Sequence, residues 1–278
     1  MTEADIIART PAPRTRASLA RDLHLLGVEP GIVLLVHSSL SAVGWVNGGP
    51  VAVIQALQDV LTPEGTLVMP AHSGGLSDPA EWQNPPVPPA WVEEIRATMP
   101  AYDLRYTPTR GMGVIAELFR TWPDVLRSSH PLSSYCAWGQ HARQVTGGHA
   151  LVNSMGEQSP LARVYDLDGW VLLLGVGYDS NSSFHLAQYR APGAPRKQEM
   201  SPMIRHGKQG WFPFDDVDLD ADPFPAIGEA MEQALPVTIA PVGSATARLF
   251  RQRPAVDLAT RWLSEHHRRA NPQAPGAQ

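Results

Sequence analysis

Apolar positions along this chain fall into two kinds of run, and the two alternate. "TRASLARDLHLLGV" carries Leu19, Leu23 and Leu26 at three- to four-residue spacing, which predicts a helix with one buried face, ended at Gly27. "GIVLLVH" is apolar without a gap and predicts a buried strand. "PVAVIQALQDVL" reads as a helix with Pro50 near its N-terminus and Pro63 and Gly65 past its end, and "GTLVMPA" as a second strand. Strand, loop, helix and strand together match the length of one βαβ crossover.

Further along, prolines crowd the stretch from Ser73 to Arg110, notably "NPPVPPAW", so a long irregular surface insertion is expected there. "GMGVIAELFRTW" returns to a helical period, and "GWVLLLGVGY" is the clearest buried strand. "DDVDLDADP" then reads as an acidic loop, "AIGEAMEQAL" as a helix, and "PAVDLATRWLSEHH" as a C-terminal helix starting at its proline. Residues 1–14 and 269–278 lack an apolar period and are expected to be loosely held tails around one domain, 15–268. The alternation places the fold in the α/β class.

Composition narrows the function classes. The chain has 278 residues, 43% of them apolar, and 22 basic against 27 acidic side chains give a net charge of -5. That balance argues against non-specific binding of nucleic acid and suits a cationic ligand. The single cysteine, Cys136, rules out an internal disulfide and fits a reducing cytoplasm; without a neighbouring His or Cys motif it reads as a small buried hydrophobe. The first residues carry no apolar h-region and no later run is long enough to span a bilayer, so neither a signal peptide nor a membrane segment is expected.

Several catalytic patterns fail. There is no GxxxxGK[ST], no HExxH and no GxSxG, and "GVGYDS" lacks the third glycine of a dinucleotide loop. The run Asp216, Asp218, Asp220, Asp222 imitates a calcium loop, but Ala221 and Ile227 stand where glycine and glutamate are needed. No metal site is expected. Three stretches survive because each follows an apolar strand or opens a helix, where α/β sheets bind ligands. They are His37, Ser38 and Ser39 in "VHSSL", Arg110, Met112 and Gly113 in "PTRGMG", and Asp179 and His185 in "DSNSSFH". Taken singly, the serines are ordinary turn and cap residues and His185 an ordinary structural histidine; the convergence is what favours a site.

The ordered set "VHSSLSAVGWVNGG", "PEGTLVMPAHS", "TPTRGMGVIAELFR", "RSSHPLSSYCAWG" and "GEQSPLARVYDLDGWVLLLGVGYDSNSSFHLAQYRA" resembles the aminoglycoside N3-acetyltransferase family. The resemblance implies a central mixed sheet flanked by helices and an acetyl-coenzyme A co-substrate, without a metal. It also implies a cationic amine acceptor, with a homodimer as the one self-association to consider. By the same resemblance His37, Ser38, Ser39, Leu40, Thr109, Arg110, Met112 and Gly113 belong to the coenzyme A site. His185 corresponds to the family's base, Asp179 to its acidic partner and, more loosely, Glu229 to a further acid, while His72, Glu157 and Gln188 fall on the acceptor side. One departure stands out: the family commonly reads HxAE, and here His185 and Ala187 are followed by Gln188, on the face of a helix shared with His185.

Overall fold

The computed structural model describes residues 2–270. A seven-stranded sheet forms its centre. The strands in chain order are β1 (Val33–Ser38), β2 (Thr66–Pro70), β3 (Leu126–Arg127), β4 (Tyr135–Gly139) and β5 (Trp170–Leu174). A separate hairpin, β6 (Arg196–Arg205) and β7 (Lys208–Val217), precedes β8 (Thr238–Val242) and β9 (Ala245–Arg251). The order across the main sheet is β3-β4-β2-β1-β5-β9-β8. β1 runs parallel to β2 and β5, and the outer pairings are antiparallel, so the sheet is mixed.

The unbroken apolar runs follow from burial on both faces. Leu34 and Val36 of β1, with Leu172 and Leu174 of β5, enter one core layer with Leu19, Leu23, Leu57 and Phe119 from three helices. Leu35, Val171 and Leu173, alternating with them, enter the opposite layer with Phe184, Phe224, Ile227 and Val256. The helix Arg16–Leu26 presents the three leucines inward and ends on Gly27, whose φ of 107° is the left-handed conformation glycine adopts without strain.

Four expectations need correction. Residues 3–9 are not a loose tail: they form a helix closed by a Thr2–Asp5 capping box, and Trp45 Nε1 donates to Glu3 Oε1 at 3.1 Å. The acidic stretch is a loop only from Asp218 onward, since Asp215 and Asp216 pair within β7. The insertion is less irregular than its prolines suggest, with a helix over Val92–Thr98. The C-terminal helix starts at Gln252 and runs to Ala270; of the expected tail, residues 271–278 lie outside the described residues.

The insertion and the hairpin support each other. Trp211 Nε1 donates to the Arg96 carbonyl at 2.7 Å, Tyr102 N to that of Pro202 at 2.9 Å, and Arg96 pairs with Asp78 at 2.6 Å. The helix Phe224–Ala234 lies against Tyr178, whose hydroxyl donates to Glu232 at 2.9 Å. Gly228 makes that contact possible, because a Cβ there would stand 2.0 Å from a Tyr178 ring carbon. Gly228→Ala is therefore expected to lower stability by about 2–4 kcal/mol, read as a reduced urea midpoint.

Candidate active site

Parallel pairing of β1 with β2 and β5 brings the carboxyl ends of these strands to one edge, with β1 at the switch point between its two neighbours. A cavity of about 720 Å³ opens there. His37 and Ser38 enter it from the end of β1, Ser39 to Ser41 just after it, His72 after β2, and Asp179, Ser180, Ser182 and His185 after β5. Gly111 to Val114 form a further wall.

That wall is held from behind. Thr109 N donates to Glu117 Oε2 at 2.8 Å, Arg120 pairs with Glu117, and Arg127 donates to the Thr107 carbonyl at 2.5 Å. Thr109 and Arg110 consequently do not line the cavity: the Arg110 guanidinium lies over Trp82, 5.6 Å from the ring centroid, and its amide donates to the His72 carbonyl at 2.9 Å. Their backbone shapes the wall that Met112 and Gly113 present. The helices Gly49–Leu61 and Gly113–Arg120 start at the cavity without a side-chain cap, whereas the first amides of Ser183–Arg190 are taken by Asn181 and Ser182. The N-terminal amides of the first two give the cavity a positive end suited to anionic oxygens.

His185 sits in the first turn of Ser183–Arg190. Its Nδ1 is 2.8 Å from Gln188 Oε1, and Gln188 Nε2 donates to the Asp220 carbonyl at 2.6 Å. These two contacts fix the tautomer. A backbone carbonyl only accepts, so it turns the amide nitrogen of Gln188 toward itself and leaves the amide oxygen facing the imidazole. That oxygen also only accepts, so Nδ1 carries the proton and Nε2 keeps the lone pair. Burial pushes His185 below the usual histidine range, opposed by the Gln188 hydrogen bond and by the charges of Asp220 and Asp216.

Two further histidines share the cavity. His37 is buried and its Nε2 lies 3.3 Å from Ser182 Oγ; burial, then the nearby His185, depresses it to about 3. His72 packs edge-on to Tyr135 and is likewise depressed to about 3 by burial and by the neighbouring histidines, His185 first. The Nε2 of His72 is buried with no hydrogen-bond partner. Such an unmet group is costly unless a bound molecule supplies the partner.

Three expected acids are placed elsewhere. Asp179 is exposed at the rim, and the Nδ1 position that an orienting partner would take is held by Gln188. Glu157 is engaged by Arg190 at 2.7 and 3.0 Å and does not line the cavity. Glu229 points to solvent, because Phe224, Ile227, Gly228 and Met231 take the inward face of its helix. Sequence reading missed Trp45, Ser182 as a partner of His37, and the Asp220 carbonyl; a backbone acceptor leaves no signal in residue identity.

A second histidine pair is structural. His130 Nδ1 accepts from Leu132 N and Ser133 N, while His149 Nε2 donates to the Ser154 carbonyl at 2.6 Å. Burial depresses His130 to about 4 and, with the adjacent His130, His149 to about 3. All five depressed histidines, His185 included, are neutral in the fold and bind protons more readily when unfolded. The stability they contribute is complete above the unfolded value of about 6.5 and is lost as the pH falls toward their folded values. Denaturant unfolding should therefore show a stability that holds between pH 8 and 7 and drops steeply between pH 6 and 5; a flat profile across that range would refute the assignment.

The profile of a family described as aminoglycoside 3-N-acetyltransferase matches residues 35–264. An SPbeta prophage-derived aminoglycoside N(3')-acetyltransferase-like protein, YokD, of Bacillus subtilis is 49% identical over 259 residues, 93% of this chain and 95% of that one. Aminoglycoside N(3)-acetyltransferase VIII of Streptomyces fradiae is 36% identical over 95% of this chain and 96% of its own. The crystal structure of YokD superposes with a TM-score of 0.93 at 48% identity, covering 95% of this chain and 98% of that one. A binary complex of AAC-IIIb with CoASH superposes at 0.81 and 31% identity, covering 92% and 98%. AAC-VIa bound to sisomicin superposes at 0.82 and 31% identity, covering 92% and 99%.

Proposed function

The chain belongs to the aminoglycoside 3-N-acetyltransferase family, and from that premise we propose that it transfers acetyl from acetyl-CoA to the 3-amino group of an aminoglycoside. His185 serves as the general base in direct transfer. The observation that carries this reading is the chain of contacts from the Asp220 carbonyl through Gln188 to Nδ1, which leaves a basic Nε2 on a histidine lining the cavity.

The cavity suits the co-substrate. Ser38 to Ser41 offer small hydroxyls, and a Cβ at Gly111 would meet nothing within 4 Å, so the wall leaves room for a backbone-hugging chain. The uncapped helix starts meet phosphate and carbonyl oxygens. A bound CoA in AAC-IIIb supports this assignment.

In the reaction the amine nitrogen bonds to the thioester carbonyl carbon and the carbon–sulfur bond breaks. His185 Nε2 takes the proton that the amine loses, and that proton ends on the departing thiol. Being held below the usual histidine range, His185 stays unprotonated and ready near neutral pH. His72 Nε2, without a partner of its own, is placed to hydrogen-bond a group of the acceptor. Asp179 at the rim and Asp220, whose charge is felt at His185, draw the cationic acceptor to this end. Glu157 is neutralised by Arg190 and takes no part.

A second reading keeps acetyl-CoA and changes the amine. Gln188 favours it, since a neutral amide cannot pair with a substrate ammonium as a glutamate would.

Free-thiol release measured with an aminoglycoside panel tests the assignment. The native chain should turn over at least one member and His185→Ala should lose about 10²-fold or more in kcat; release only with other amines selects the second reading. Corrected for the free-amine fraction, kcat/KM should stay level above the ordinary histidine value and fall only below it. Gln188→Glu should move that acid limb upward by about one pH unit and lower the melting temperature, because a carboxylate cannot donate to the Asp220 carbonyl. An unmoved limb would detach Gln188 from the base.

A further inference from the structure

The cavity lining includes His37, Ser182 and His185, with His37 and Ser182 in hydrogen-bond contact. It also includes Trp45, Val46 and Gly49, together with Glu3 and Ile6 of the N-terminal helix. This helix lies outside the matched family region of 35–264. None of its residues is buried, and Ile6 and Glu3 face the cavity rather than the core. It is tied to the same loop by contacts with one residue: Trp45 Nε1 donates to Glu3 Oε1, and Trp45 N to Thr10 Oγ1 at 2.9 Å. Just beyond, Arg14 N donates to the Trp45 carbonyl at 2.9 Å and Asn47 N to that of Arg14 at 2.8 Å.

We propose that the N-terminal helix Glu3–Arg9 is a wall of the co-substrate site and recognises the part of an acyl-CoA remote from its thioester. The inference rests on the acetyl-CoA reading above. If the thioester meets the acceptor amine beside His185, the rest of the molecule must extend away from His185, and Trp45 with the N-terminal helix lines the same cavity without belonging to the histidine group. Ile6 and the Trp45 loop offer an apolar surface there, while the capping box keeps a seven-residue helix formed without core burial. A helix with so little burial is held weakly on its own and gains order when a ligand fills the space beneath it.

The test compares acetyl-CoA with S-acetyl-N-acetylcysteamine, which has the thioester but no nucleotide end. Steady-state kinetics are measured for the full chain, for Ile6→Ser, and for a chain lacking residues 2–9. Both variants should lose about five- to tenfold in preference for acetyl-CoA over the short thioester, through a raised KM for acetyl-CoA. Proteolysis near residue 10 of the full chain should slow with CoA and not with N-acetylcysteamine. Unchanged preference in Ile6→Ser overturns the proposal, as does an equal loss with both thioesters. No turnover of either thioester by the full chain, with any amine tried, counts against the acetyl-transfer reading instead, and CoA-dependent protection then still decides whether the helix meets the ligand.

Discussion

Parallel pairing of β1 with β2 and β5 is the constraint on which the rest depends. Hydrogen bonds between neighbouring strands set their register, and the apolar side chains alternating along each strand fix both faces against helices. A slip of one residue in β1 would exchange the faces of Leu34 and Leu35 and disturb both layers at once. It would also turn His37 away from Ser182. The polar groups at the sheet edge are thus held to their places by core packing that has no chemistry of its own.

This division explains what could be read from residues alone. The buried strands and the helix Arg16–Leu26 are written in runs of valine, isoleucine and leucine, so they were legible. The hairpin was not, because much of each strand is exposed and sequences such as "RKQEMSPMIR" carry neither an unbroken apolar run nor a clean alternation. Its turn does leave a trace: His206 and Gly207 both have positive φ, as a tight two-residue hairpin turn requires. The N-terminal helix was missed for a related reason. It buries none of its residues, so no apolar period marks it.

At the site, side-chain identity carried some roles and geometry decided others. The three-residue spacing of His185 and Gln188 foretold their contact, and the structure realises it at 2.8 Å. The three acids take different places. Asp179 and Glu229 matched by order along the chain, yet one lies at an exposed rim and the other on the outer face of a helix. Glu157 had the right charge and the wrong neighbour, since Arg190 satisfies it.

The hydrogen bond from Gln188 to the Asp220 carbonyl, with that from the Tyr189 hydroxyl to Asp216, ties the helix that carries His185 to the hairpin and the chain leaving it. Asp220 lies just past β7, in the chain that leaves the hairpin, and the hairpin is braced by the insertion through Trp211 and Tyr102. The insertion, the hairpin and the imidazole therefore form one mechanical series. A change in the insertion that shifted the hairpin would also loosen the amide that holds the proton on Nδ1, so the shape of this outer region and the proton inventory of the ring cannot vary independently.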